Sequence, residues 1–342
     1  MKKIFLVMLV GLITLAGCQK AEKSFTVLQW NIWHEGTKVP GGYEAIVNEI
    51  ARLQPDFVTL SEVRNFNGVD FSNELLSSLK EKGLTYYSFP TRDTGLLSKC
   101  PIEHCDSVFP ENGDHGSIYK LVSTVHGLKV AVYTAHLDWL NDAYYNVRGY
   151  DGSTWEEIPL PESVEEVLAI NEASLRDDAI RCFIADARKE SEAGALVILG
   201  GDFNEPSHLD WTEATKDLYC HNGLVIPWTV TTLLEQAGYV DVYRTMYPDV
   251  LKYPGFTFPA DNPLVDVANL TWTPKADERE RIDYVFYKET DKVRVKDALI
   301  FGPAGSIAYS ERVPSKSEDI FLLPEGAWPT DHKGLLVTFV IK

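Results

Sequence analysis

The feature that most constrains the fold of this chain is a set of polar residues, each placed where an apolar run ends: Asn31, Glu62, His136, Asp202 with Asn204, Asp283, and Asp331 with His332. They lie far apart in sequence, so only a sheet that brings several strand ends to one rim can gather them. The runs between them alternate in type. Residues 25–30 are apolar on successive positions, as in a strand covered on both faces. Tyr43, Ile46, Val47, Ile50 and Leu53 then recur at helical spacing, and Pro55 stops the pattern. Further strands are predicted at 57–60, 94–98, 129–134, 195–199, 282–287 and 335–341, and helices at 73–82 and 164–187. Gly200 and Gly201, before Asp202, are expected to let backbone approach a ligand closely. With no repeat or internal linker, one domain over 25–342 is expected.

The first residues carry a different signal. Lys2 and Lys3 precede an almost wholly apolar stretch, and Leu15-Ala16-Gly17-Cys18 places small residues before a cysteine. The run is shorter than the roughly 20 residues a membrane span needs. It reads as a lipoprotein signal over 1–17, with Cys18 lipidated and 18–24 a tether, placing the protein at the cell envelope, periplasmic or surface-facing, with the membrane as a partner through its anchor. The other cysteines, Cys100, Cys105, Cys182 and Cys220, allow three pairings, among which the sequence does not choose. The net charge of −18 disfavours nucleic acid as a partner, because a phosphate backbone is normally held by clustered Lys and Arg.

The rim residues suit one chemistry. Carboxylates and amides are oxygen donors for a hard cation such as Mg²⁺ or Mn²⁺, with Glu62 the best single ligand and Asn31 and Asp331 its neighbours. His136 and His332 supply proton transfer. Asp283 sits among apolar residues, where an unpaired carboxylate is costly, and pairing it with His332 answers that cost and fixes the imidazole tautomer. The aromatic stretch 141–162 reads either as a loop packed on itself or as a substrate-facing lid. Arg148 and Tyr150 within it, with His208, Trp211, Arg176 and Arg181, are candidates for the substrate side. The remaining histidines, His34 among them, read as structural.

In order along the chain, Gln29-Trp30-Asn31-Ile32, Ser61-Glu62-Val63, Gly95-Leu96-Leu97-Ser98, Thr134-Ala135-His136-Leu137, Gly200-Gly201-Asp202-Phe203-Asn204, Arg281-Ile282-Asp283-Tyr284 and Thr330-Asp331-His332 resemble the endonuclease/exonuclease/phosphatase superfamily, in particular its deoxyribonuclease and sphingomyelinase branches. The resemblance implies an α/β four-layered sandwich, two mixed sheets packed face to face with helices outside, and a divalent-metal-dependent phosphoester hydrolase. It implies metal-binding positions at Asn31, Glu62 and Asp331, water- and phosphoryl-orienting roles for Asp202 and Asn204, an Asp283–His332 dyad, and a second histidine at His136. Whether Asp202 or the dyad is the general base stays open. The expected substrate is a small or lipid-linked phosphoester and the expected state a monomer; an extracellular nuclease and an inactive binding lipoprotein are the alternatives.

Overall fold

The computed structural model describes residues 22–109 and 116–342. The signal stretch, Cys18 and His115 lie outside the described residues. In chain order the strands are β1 (Ser24–Asn31), β2 (Phe57–Val63), β3 (Asp93–Ser98), β4 (Ile102–Phe109), β5 (Gly116–Val125), β6 (Leu128–Leu137), β7 (Leu196–Asp202), β8 (Tyr239–Asp241), β9 (Asp283–Lys288), β10 (Val293–Phe301), β11 (Ser306–Ala308), β12 (Glu311–Val313), β13 (Phe321–Leu322) and β14 (Gly334–Ile341). The helices are α1 (Gly42–Leu53), α2 (Phe71–Glu81), α3 (Ala143–Val147), α4 (Val164–Asn171), α5 (Arg176–Glu192), α6 (Thr229–Gln236) and α7 (Val242–Met246).

Two six-stranded sheets form, ordered β13-β10-β14-β1-β2-β3 and β4-β5-β6-β7-β9-β8. Both are mixed: β1 runs parallel to β2 and antiparallel to β14, and β6 runs parallel to β7 while β9 returns antiparallel. Side chains alternate between the faces of a strand, and here both faces are buried. Phe25 and Val27 of β1 face the other sheet and meet Leu121, Val130, Val132 and Ile198 in the central core. Leu28 and Trp30 face the opposite way, against Ile46 and Ile50 of α1 and Leu75 and Leu79 of α2. On the far side, Ala131, Tyr133 and Val197 pack under Ala179, Ile180 and Phe183 of α5 and Val230 and Leu234 of α6. The result is a four-layered α/β sandwich.

Three expectations need correction. The helix predicted over 164–187 is two helices, α4 and α5, because the chain turns at 172–175 to serve the loop after β6. The Leu175 N–H donates to Asp138 Oδ2 at 2.9 Å, and the buried Arg176 donates to Asp138 O at 2.6 Å and to Asn171 Oδ1 at 2.8 Å. The strands β4, β5 and β10 add to those expected; β4 is a bulged, half-exposed edge strand whose sequence shows no clean alternation. The glycines before Asp202 serve the sheets and not a ligand: a Cβ on Gly200 would lie 2.3 Å from Thr59 Oγ1 of the facing sheet, and one on Gly201 would lie 2.5 Å from Ala135 O. Among the described residues Cys100, Cys105, Cys182 and Cys220 are free thiols.

Candidate active site

The alternation that buries Phe25 and Val27 between the sheets carries on along β1 to Gln29 and Asn31, so the same inner face turns polar toward one rim. Its polar groups bond across the sheets. Ser61 Oγ donates to Ala135 O at 3.1 Å, and Thr59 Oγ1 donates to Gln29 Oε1 at 2.7 Å. Gln29 Nε2 in turn donates to Asp283 Oδ1 at 3.3 Å. At the end of β2 a bulge between Ser61 and Val63 puts Glu62 in the left-handed region at φ 68°, turning its carboxylate to the rim.

Each of the two histidines is held by a carboxylate at Nδ1. His332 lies 2.9 Å from Asp283 Oδ2, and His136 lies 2.9 and 3.0 Å from the two oxygens of Asp93. Both imidazoles thus direct Nε2 toward the rim. Asn204 Nδ2 lies 3.3 Å from Nε2 of His136, and Asp202 Oδ2 lies 3.7 Å from Nε2 of His332. Asp202 is itself oriented, its Oδ1 accepting the Asn204 N–H at 3.0 Å and its Oδ2 accepting from Asn31 Nδ2 at 2.8 Å. Burial opposes charge on both imidazoles, but Asp93, Asp202 and Glu62 raise His136 to about 9. Asp283, Asp202 and Asp331 raise His332 to about 10. Burial, partly offset by the two histidines, lifts Asp202 to about 6. Burial also lifts Asp331 to about 7, and the charge of Glu62 adds to it.

A cavity of about 370 Å³ opens over these groups. Trp33, Trp139, Tyr144, Tyr145, Trp155 and Trp272 wall it, with Glu62, His136, Asp202, Asn204, Asp331 and His332 at its base. The stretch after β6 meets both descriptions given for it: Tyr144 and Tyr145 are buried and packed on each other at 4.2 Å, and they also form wall. The substrate-side candidates do not line this cavity. Arg148 is ion-paired to Glu280 at 2.6 Å and donates to Asp277 O at 2.6 Å, so its guanidinium is spent on the scaffold. Trp211 is fully buried, stacks on His221 at 3.6 Å and donates to Glu280. Tyr150 Oη accepts the Lys275 N–H at 3.2 Å, and His208 faces Thr231 and Glu235 in a separate cavity. Arg176 is buried in the loop contacts given above, and Arg181 is exposed and faces Asp177.

A family model described as the endonuclease/exonuclease/phosphatase family matches residues 28–332. The chain belongs to that family. It is 26% identical over 289 residues to the Caenorhabditis elegans protein F14F9.5, covering 83% of this chain and 85% of that one. The fold is similar to that of zebrafish TDP2 solved with single-strand DNA product, at TM-score 0.51 and 17% identity over 92% of this chain and 98% of that chain. It is also similar to the human Nocturnin catalytic domain with bound sulfate, at TM-score 0.52 and 14% identity over 93% and 95%.

Members of the family are typically metal-dependent phosphoester hydrolases, and the donors here fit a divalent cation. Glu62 and Asp331 are carboxylates at the base of one cavity, and their mutual repulsion is what a hard cation with oxygen ligands relieves. Asn31, expected as their neighbour at the metal, is bonded to both sides of the rim. Its Oδ1 accepts the Trp33 N–H at 2.9 Å, leaving Nδ2 to donate to Glu62 Oε1 at 3.1 Å and to Asp202. It therefore orients two carboxylates, while its oxygen holds the backbone of Trp33 with one of its two lone pairs. Asp202, Asp283 and His332 bring one ligand-type atom each within 4.8 Å of one another, but there the imidazole between the two carboxylates already occupies the centre.

Two residues escaped the sequence reading. Asp93 opens β3 at φ 67°, opposite the Glu62 bulge, and bonds both His136 and Arg64 Nη1, the latter at 2.6 Å. The polar Arg92-Asp93-Thr94 before the Gly95 motif was its only trace. His34 lies in a run of left-handed residues, Trp33 to Gly36, and both its backbone N–H, at 2.9 Å, and its Nε2, at 3.2 Å, face Glu62 Oε2.

Proposed function

We propose that this chain hydrolyses a small or lipid-linked phosphoester by in-line attack of water, at the cell envelope where its N-terminal sequence would anchor it. The observation that carries this reading is the facing pair of acid–imidazole dyads, Asp93–His136 and Asp283–His332, beneath an aromatic cavity of about 370 Å³. Glu62 and Asp331 would hold a Mg²⁺ or Mn²⁺ ion, which when bound supplies Lewis-acid stabilisation of the phosphoryl oxygens. Asp202, with one oxygen tied to Asn204 and the other set between Asn31 and His332, is the acceptor for the proton of the attacking water. His332, steadied by Asp283, donates from Nε2 to the phosphoryl oxygens, and Asn31 Nδ2 holds Glu62 and Asp202 in place. His136, backed by Asp93 and flanked by Asn204, delivers a proton to the departing oxygen.

A small leaving group suits the walls. Among the described residues Arg64 is the cavity's one arginine, and Asp93 already engages it; no lysine lines it. Seven aromatic rings, Phe258 among them, instead offer flat apolar surface to a sugar, a headgroup or a base. The test is hydrolysis of bis(p-nitrophenyl) phosphate, p-nitrophenyl phosphate, p-nitrophenyl phosphorylcholine and plasmid DNA in parallel, with Mg²⁺, Mn²⁺ or chelator and with His332→Ala. Turnover of a small ester, lost with chelator and in the variant, supports the proposal. Preferential cleavage of DNA overturns the substrate class, and no turnover despite metal binding returns the inactive binding lipoprotein.

A further inference from the structure

On the other side of the segment that carries Asp331 and His332, the next residue, Lys333, points into a second cavity of about 400 Å³. Lys333 is 1% exposed. Its stem is clamped by Gly302, where a Cβ would come within 3.1 Å of Lys333 Cγ. Its ammonium meets only neutral groups: Ser306 Oγ at 2.8 Å, Ala304 O at 3.5 Å and the ring of Phe321 at 5.4 Å from the centroid. Among the described residues no carboxylate lies within ion-pair distance of it. Asp319 and Asp261 favour its charge only through space, with Arg279 opposing them, and a buried ammonium without a counter-charge in contact is costly in a protein interior.

The cavity around it is built of groups that bind an oxyanion. Ser306 and Ser315 contribute hydroxyls, and Lys316 adds a second ammonium at the exposed rim. Two other charges are already engaged. Arg279 is forked onto Asp277 at 2.8 and 2.6 Å, and Asp319 accepts from Ser317 Oγ, Tyr243 Oη and the Gly255 N–H. Tyr219, Phe256 and Phe321 leave apolar wall beyond the polar end. The volume exceeds what a bare phosphate fills, so an organic group attached to the anion has room.

We infer that this cavity is a second, non-catalytic ligand site that takes a phosphate-type oxyanion against the Lys333 Nζ–Ser306 Oγ pair, whose hydroxyl accepts from the ammonium and keeps its own proton to donate. The site adjoins the catalytic rim through the chain, since Lys333 directly follows His332 and its N–H is fixed to Thr257 O at 2.7 Å. The inference does not depend on the activity proposed above.

The experiment is titration of the full chain, with chelator present, by inorganic phosphate and by the non-hydrolysable phenylphosphonate, read by calorimetry and by thermal shift at constant ionic strength. Saturable binding is expected that survives His136→Ala and weakens about tenfold or more in Lys333→Met, the loss of a charge-assisted hydrogen bond. Ser306→Ala and Lys316→Ala, at the wall and rim, are expected to weaken it severalfold, and they decide the matter if Lys333→Met does not fold. Tighter binding of phenylphosphonate than of phosphate assigns the site to an organic phosphate; equal binding assigns it to free phosphate. Binding that is unchanged in all three variants, or that vanishes in His136→Ala, or no saturable binding of either anion, overturns the inference.

Discussion

Replacing Gly200 by alanine tests how the two sheets set the site. The added methyl would lie 2.3 Å from Thr59 Oγ1 and 3.2 Å from Thr59 Cβ, in the middle of two strands that have no loop to yield. The sheets must part there by roughly 1 Å, and overpacking of that kind costs about 1–3 kcal/mol. That corresponds to a melting shift on the order of 2 °C per kcal/mol in a domain this large. The same threonine starts the chain of bonds through Gln29 to Asp283 and His332, so displacing it also loosens the dyad. Chemical denaturation and turnover of the best small ester would be measured for Gly200→Ala, Thr59→Ala and the double variant. Thr59→Ala removes the clashing oxygen, so the double variant is expected to lose less than the sum of the singles, with a coupling of about 0.5–3 kcal/mol. A Gly200→Ala protein within about 0.5 kcal/mol of the parent, or strict additivity, would refute the idea that sheet contact requires this glycine.

Other outcomes follow from the same geometry. Asp93→Ala strips His136 of its partner and is expected to lower kcat at least about a hundredfold while leaving substrate affinity much less changed; a kcat within twofold of the parent removes Asp93 from the site. Glu62→Gln should abolish most of the thermal stabilisation by Mg²⁺ measured without substrate, and an undiminished shift would place the ion elsewhere. Arg148→Met leaves Glu280 buried without its guanidinium, facing only Trp211 Nε1 and His221 Nε2, so a loss of about 3 kcal/mol in denaturation with an unchanged KM is expected, and a raised KM in a stable protein would restore Arg148 to the substrate side. Glu278, whose carboxylate burial lifts to about 7, keeps its proton when folded at pH values where the unfolded chain has lost it. It therefore favours folding less as pH rises from about 4.5 to 7, by on the order of 3 kcal/mol in all. Glu278→Gln should flatten that part of the stability profile between pH 5 and pH 8, and parallel profiles for the two proteins would contradict the assignment.

Much of the site was legible because its residues stand at strand ends, where apolar runs of period two or doubly buried strands stop at a single polar residue. Asn31, His136, Asp202, Asn204, Asp283 and His332 could be named that way, and the structure brings them to one rim. Asp93 and His34 could not, since neither ends an apolar run. Their positions depend on backbone turned into the left-handed region by a bulge and by a local turn, which leaves no period in the sequence. Arg148, Tyr150, His208 and Trp211 were misread for the complementary reason: their types suit a ligand, but the types of their neighbours, Glu280, Lys275 and Glu235, become neighbours only after folding.

The sequence by itself determined the alternation of strands and helices, the two-sided burial of the strands, and the residues able to do phosphoryl chemistry, because these depend on spacing and side-chain type along one strand or helix. Tertiary structure alone decided which carboxylate backs which imidazole, that Asn31 bonds both Glu62 and Asp202, that Gly200 serves sheet contact, and that Lys333 faces a second cavity away from His332. Those are matters of distance and direction between segments, fixed only once two sheets close on each other and the buried polar groups must find partners.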